Sequence, residues 1–151
     1  MKLIPFVVVC ALLAGACSSS DSPTAPSGQP PAGSVPFSST ELVVGTGAEA
    51  TTGKNVTVNY TLWLYNTLGT DNKGSLIDSS LAAGRTPLGP FAVGTPNLIP
   101  GFSQCVLGMK VGGNRRCNIP PSLGYGAQGS SNGGVPPNAT LIFEIQLLTV
   151  Q

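Results

Sequence analysis

The 151-residue sequence predicts an α+β fold: short antiparallel strands forming a curved sheet that half-wraps one short α-helix. Three observations lead there. The stretch Asn55 to Tyr65 alternates between apolar and polar residues over most of its length. Only one segment, Leu98 to Val106, reads as a credible helix. Glycine (20 residues) and proline (14) are abundant while charged residues make up 9%, which suits a loop-rich β protein with small helices. The length allows one ordinary domain and little else.

In chain order, residues 1–17 read MKLIPFVVVCALLAGAC. Lys2 precedes an apolar run from Leu3 to Leu13 that is too short to anchor stably in a bilayer, and small residues follow, as in an export signal. Two cleavages are open. Ala14-Gly15-Ala16 fits a signal-peptidase site. Leu13 to Cys17 resembles a bacterial lipobox, with Ala14 where leucine is usual; there Cys17 is diacylated and becomes the first mature residue. The Ser-rich run after Cys17 favours lipidation. The expectation is an exported lipoprotein, anchored to a membrane and facing the periplasm or cell surface; the alternative is a soluble secreted or periplasmic protein. Residues 18–37, rich in Ser, Pro and Gly, cannot bury enough apolar area to offset the ordering entropy and read as a disordered tether. Residues 38–151 form the domain.

Within it, Val56, Val58, Tyr60, Leu62 and Leu64 share one face of the first strand, and Asn55, Thr57, Asn59 and Thr61 share the other. Asn66 to Ser75 is polar and contains Gly, a hairpin loop. Leu76 to Asp78 and Phe91 to Val93 are short strands. The Leu98 to Val106 helix has Pro100 at its start, where a missing N–H is harmless. Asn114 to Ile119 is a strand, with Arg115 and Arg116 read as a solvated pair facing opposite ways. Gly124 to Asn138 is a long Gly/Ser/Pro loop, and Leu141 to Val150 closes the sheet with Leu141, Phe143, Ile145 and Leu147 on one face.

Composition excludes much chemistry. With no histidine, Ser-His-Asp and Cys-His nucleophilic sites and histidine metal centres are absent. The domain's two cysteines, Cys105 and Cys117, are too few for a four-thiolate zinc site. Of seven basic residues Lys2 lies in the export segment, leaving six against six acidic ones, so there is no electrostatic footprint for nucleic acid. What remains is chemistry by shape, apolar surface and a few hydrogen bonds.

Several segments, in order, resemble the FKBP-type peptidyl-prolyl cis/trans isomerases: ELVVGTGAEATTGKNVTVNYTLWLYN, LIDSS, PFAVGTPNLIPGFSQCVLGMKVGGNRRCNIPPSLGYGAQGS and VPPNATLIFEIQLL. The resemblance spans Glu41 to Gln151. It implies an FKBP-like sheet and helix, isomerisation of X-Pro bonds in exported proteins, and assistance to their folding. It also implies proline-containing polypeptides as substrates, macrolide ligands, a monomer, and neither cofactor nor metal.

Carried over by motif, the site residues are Tyr60, Asp78, Ile99 and Tyr125, with the Ile99 backbone N–H and the Tyr125 hydroxyl gripping substrate carbonyls. Ile77, Phe91, Leu98, Phe102, Val135 and Phe143 form the proline-binding cleft, with Phe102 at its floor. The family usually has Phe where Ile77 stands and Gly where Leu62 stands. Ile77 keeps a rival class open, a proline-segment binding module or chaperone with little turnover. Finally, Cys117 should point the same way as Ile119, towards the helix that carries Cys105. The pair is a candidate disulfide, with two buried free thiols as the alternative.

Overall fold

The computed structural model describes residues 35–151. The export signal with Cys17, and the tether up to residue 34, lie outside the described residues. Six strands form one antiparallel sheet: β1 (Ser38–Val43), β2 (Asn55–Tyr65), β3 (Lys73–Ser79), β4 (Leu88–Ala92), β5 (Asn114–Ile119) and β6 (Leu141–Val150). The order is β1-β5-β6-β2-β3, with β4 also pairing with β2. The single α-helix among the described residues, α1 (Pro100–Val106), packs against β5 and β6. This is the α+β architecture the sequence predicts.

The centre of the sheet is the β2–β6 ladder, paired from Val56↔Val150 to Leu64↔Leu141 with one register shift between Thr57 and Val58. Both strands send alternate side chains to the helix side. Val56, Val58 and Leu62 from β2, and Leu141, Phe143, Ile145 and Leu147 from β6, are buried together there. Removing this apolar area from water is the main drive for folding. Phe37, placed in the tether by the sequence reading, packs half-buried against the same core.

Helix α1 starts at Pro100, two residues later than expected, because Ile99 is its extended cap residue and proline is preorganised for the first helical position. It sits close to the sheet. A Cβ on Gly101 would stand 2.3 Å from Cγ2 of Ile119, so only glycine allows this approach. The sulfurs of Cys105 and Cys117 are bridged, joining α1 to β5 across a Cα–Cα distance of 6.0 Å.

Other departures from expectation have physical causes. Strand β1 gave no sequence signal: all six of its residues are exposed, and it is held at the sheet edge by its ladder to β5. Strand β3 begins at Lys73 because a short 3₁₀ turn, with Asp71 and Asn72 at positive φ, folds Lys73 back opposite Tyr65. Strand β4 runs from Leu88 instead of Phe91, with a register shift between its pairings Val56↔Phe91 and Val58↔Leu88. Gly89, inside that irregularity, has φ 130°, and a Cβ there would meet the Val56 carbonyl oxygen at 2.6 Å.

Arg115 and Arg116 are not solvated either. Arg116 donates to Glu144 and Asp71, and Lys73 pairs with the same Glu144 at 2.7 Å while lying over the Trp63 ring. Arg115 turns under the sheet edge to Glu41 and to the end of α1.

Candidate active site

The core opens to a cavity where β2, β6 and the start of α1 meet. Phe102, in the first turn of α1 and 3% exposed, is the centre of an aromatic cluster. Its ring meets Phe143 edge-on at 5.2 Å, Tyr60 edge-on at 6.2 Å and Phe91 at 6.0 Å. Edge-to-face contacts suit the ring quadrupoles and fix the cluster's shape. Above it lies a cavity of about 180 Å³. Phe102 and Phe143 floor it, Tyr60 and Leu62 wall it, and Leu98 and Ile99 stand at the helix entry. Leu88, Asp78 and Tyr125 complete the rim.

The polar groups of the rim are tied down. The Tyr60 hydroxyl donates to Oδ2 of Asp78 at 2.5 Å. Oδ1 of Asp78 accepts from the Ser79 backbone N–H at 2.9 Å and from Nη2 of Arg85 at 2.7 Å. An ionised carboxylate only accepts, so three donors on Asp78 make it a holder of the Tyr60 ring. Burial first, and then the hydrogen bond to Asp78, push the Tyr60 phenol above its ordinary value; burial and the charge of Asp78 push Tyr125 up likewise. Both phenols therefore stay protonated donors at neutral pH. Tyr125 is 37% exposed, and the Ile99 N–H donates to no acceptor among the described residues. Among the described residues no cluster of His, Cys, Asp or Glu is placed to hold a metal ion.

Residues 47–148 match the family described as FKBP-type peptidyl-prolyl cis-trans isomerase. An FK506-binding protein of Neisseria meningitidis is 46% identical over 110 residues, 73% of this chain and 92% of its own length. The chain belongs to the FKBP-type peptidyl-prolyl isomerases. FK506-binding protein 1B of Neurospora crassa is 38% identical over 109 residues, covering 72% of this chain and 93% of the relative. Among solved structures, AtFKBP13 superimposes with a TM-score of 0.63 at 30% identity, over 76% of this chain and 93% of that one. FkpA from Escherichia coli superimposes with a TM-score of 0.62 at 33% identity, over 76% of this chain and 48% of its own.

In this FKBP-type isomerase the structure gathers Tyr60, Asp78, Leu98, Ile99, Phe102, Tyr125 and Phe143 around one cavity. Ile77 and Val135 lie next door, in a wider chamber of about 410 Å³ that shares Leu62, Asp78 and Tyr125 with the first. Phe91 is not among the residues lining the cavity; it is half-buried and packs against Phe102 at the edge of the core. The irregularity in β4 puts Leu88 at the cavity instead. The sequence reading missed Leu88 and Arg85. The Gly89-Pro90 pair, which breaks an otherwise strand-like stretch, was the available signal for the first. Arg85 left none, because its tie to Asp78 closes a loop whose path only the fold sets.

Proposed function

We propose that this isomerase is an exported, membrane-tethered enzyme that rotates X-Pro bonds of exported polypeptides, with the prolyl ring seated on Phe102 in the Tyr60–Phe143 cavity. The observation that carries the catalytic part is the apolar cavity itself, whose only charged lining group, Asp78, is already engaged by Tyr60, Ser79 and Arg85. Rotation about a peptide bond is opposed by a barrier of ~18–20 kcal/mol arising from amide resonance. A twisted amide has lost that resonance and much of its charge separation. It therefore suffers less than the planar amide on leaving water, and an apolar cavity favours it. The Ile99 N–H and the Tyr125 hydroxyl are the donors for the flanking carbonyls. No nucleophile or proton relay takes part.

The tether follows from the sequence of residues 1–17, with Cys17 as the lipidated first residue. Mass spectrometry of membrane-extracted protein tests it: a diacylated Cys17 terminus is expected, and an unmodified one refutes it. A protease-coupled proline-peptide assay with a macrolide of the FK506 type tests the cleft. Turnover abolished by saturating macrolide is expected. Turnover unaffected, with no heat of binding, refutes the assignment of these residues. Binding of proline peptides without turnover would make the domain a binding module, with Ile77 in place of the usual phenylalanine as the first residue to exchange.

A further inference from the structure

The far end of α1 is held by side chains that the isomerisation itself does not use. Arg115 and Cys117, two residues apart on β5, share one face and both reach the helix side. The Arg115 side chain is only 14% exposed. Its Nη1 donates to the carbonyl oxygens of Cys105 and Leu107, at 2.8 Å each. These belong to the last turn of the helix, where carbonyls lack intrahelical donors. On its other side the guanidinium donates from Nε to Oε1 of Glu41 on β1, and Nη2 forms an ion pair with the same oxygen. Arg115 thus spans the sheet edge and the helix end in a fixed planar fork.

Helix α1 has only seven residues, too few to be stable alone, so its position is set by what it is tied to. The Cys105–Cys117 bridge ties it to β5 at one point, and buried Gly101, Phe102 and Val106 seat its inner face on the sheet. The two carbonyl bonds from Arg115 hold its C-terminal end. One to two turns away, the same helix delivers Phe102 to the cavity floor, and its cap residue Ile99 stands at the entry.

We propose that Arg115 is a positioning residue for isomerisation: clamped by Glu41, it fixes the orientation of α1 and hence the placement of Phe102 and Ile99 at the cavity. It acts through the helix and touches no substrate. The inference rests on this cavity being the isomerase site.

The test uses the full chain and its Arg115→Ala, Arg115→Lys and Glu41→Gln variants. Proline-peptide isomerisation is measured at a temperature where circular dichroism shows each variant fully folded. The Phe102 ring and Ile99 methyl resonances are followed by NMR. Arg115→Ala is expected to lower kcat/KM about tenfold or more and to shift both sets of resonances, since small misplacements of a site cost rate steeply. Arg115→Lys keeps the charge and a donor but loses the planar fork, so it should recover only in part, to within about threefold of wild type. Glu41→Gln should fall between them. Should Arg115→Ala not fold, the same ordering of the lysine and glutamine variants, with shifted Phe102 and Ile99 resonances, decides the matter. A folded Arg115→Ala protein with wild-type kcat/KM and unmoved resonances overturns the proposal. A wild-type chain without isomerase activity would defeat the functional reading of the cavity, and the resonances alone would then decide whether Arg115 orients the helix.

Discussion

Breaking the Cys105–Cys117 bridge should destabilise the domain by an amount that the structure sets. The bridge closes a loop of 12 residues between α1 and β5. In the chain-entropy relation a loop of this size restricts the unfolded chain by about 9.5 cal/mol/K, or about 3 kcal/mol at room temperature. Both cysteines are fully buried, so reduction leaves two small apolar thiols in place and adds little cavity cost. With an unfolding entropy of about 2.1 cal/mol/K per residue over roughly 115 residues, 3 kcal/mol corresponds to a fall in Tm of about 12 °C. Two measurements check this. Differential alkylation of the unreduced, unfolded chain with peptide mapping should find Cys105 and Cys117 linked, and urea unfolding with and without reductant should give the difference in stability. Free thiols at both positions, or a reduced form within about 1 kcal/mol of the oxidised one, would refute the reasoning.

Three further outcomes are expected. Phe102→Ala should cost about 3–5 kcal/mol, since the ring is buried against three others, so urea unfolding must accompany the activity assay before any lost turnover is read as catalytic. Gly101→Ala should cost about 1–3 kcal/mol by forcing a methyl group into Ile119 and lifting α1 from β5; an unchanged Tm would show that the helix has room to move. Tyr60→Phe should cost about 1 kcal/mol through the lost hydrogen bond to Asp78. It should also flatten the alkaline limb of the stability profile. Because the folded pKa of Tyr60 lies above its unfolded value, its contribution is fully present below the unfolded pKa near 10 and is lost as pH rises through the folded pKa. Urea unfolding between about pH 9 and 11 reads the difference, and parallel curves for the two proteins would count against it.

Where burial repeats along the chain, the sequence was sufficient. The alternation in β2 and β6 marks which residues share the buried face, because a strand turns successive side chains to opposite sides. Pro100 marked the start of the only α-helix among the described residues, because its ring fits the first turn. The lack of histidine confined the chemistry to shape and hydrogen bonding before any fold was known. The motif order carried the family and, with it, most of the residues that now surround the cavity.

Other features depended on contacts between segments distant in sequence. Strand β1 exists because β5 offers it a ladder, and none of its residues is buried, so no local pattern announced it. The exchange of Phe91 for Leu88 at the cavity turned on the register shift against β2, which neighbouring residues do not encode. Arg85 found Asp78 through the path of a loop, and Arg115 found Glu41 and the end of α1 across three elements. Long polar side chains reach several ångströms from their backbone, so their partners are chosen by the tertiary arrangement. The sequence supplies the residues that line this site, and the packing of α1 on the sheet decides how they are held.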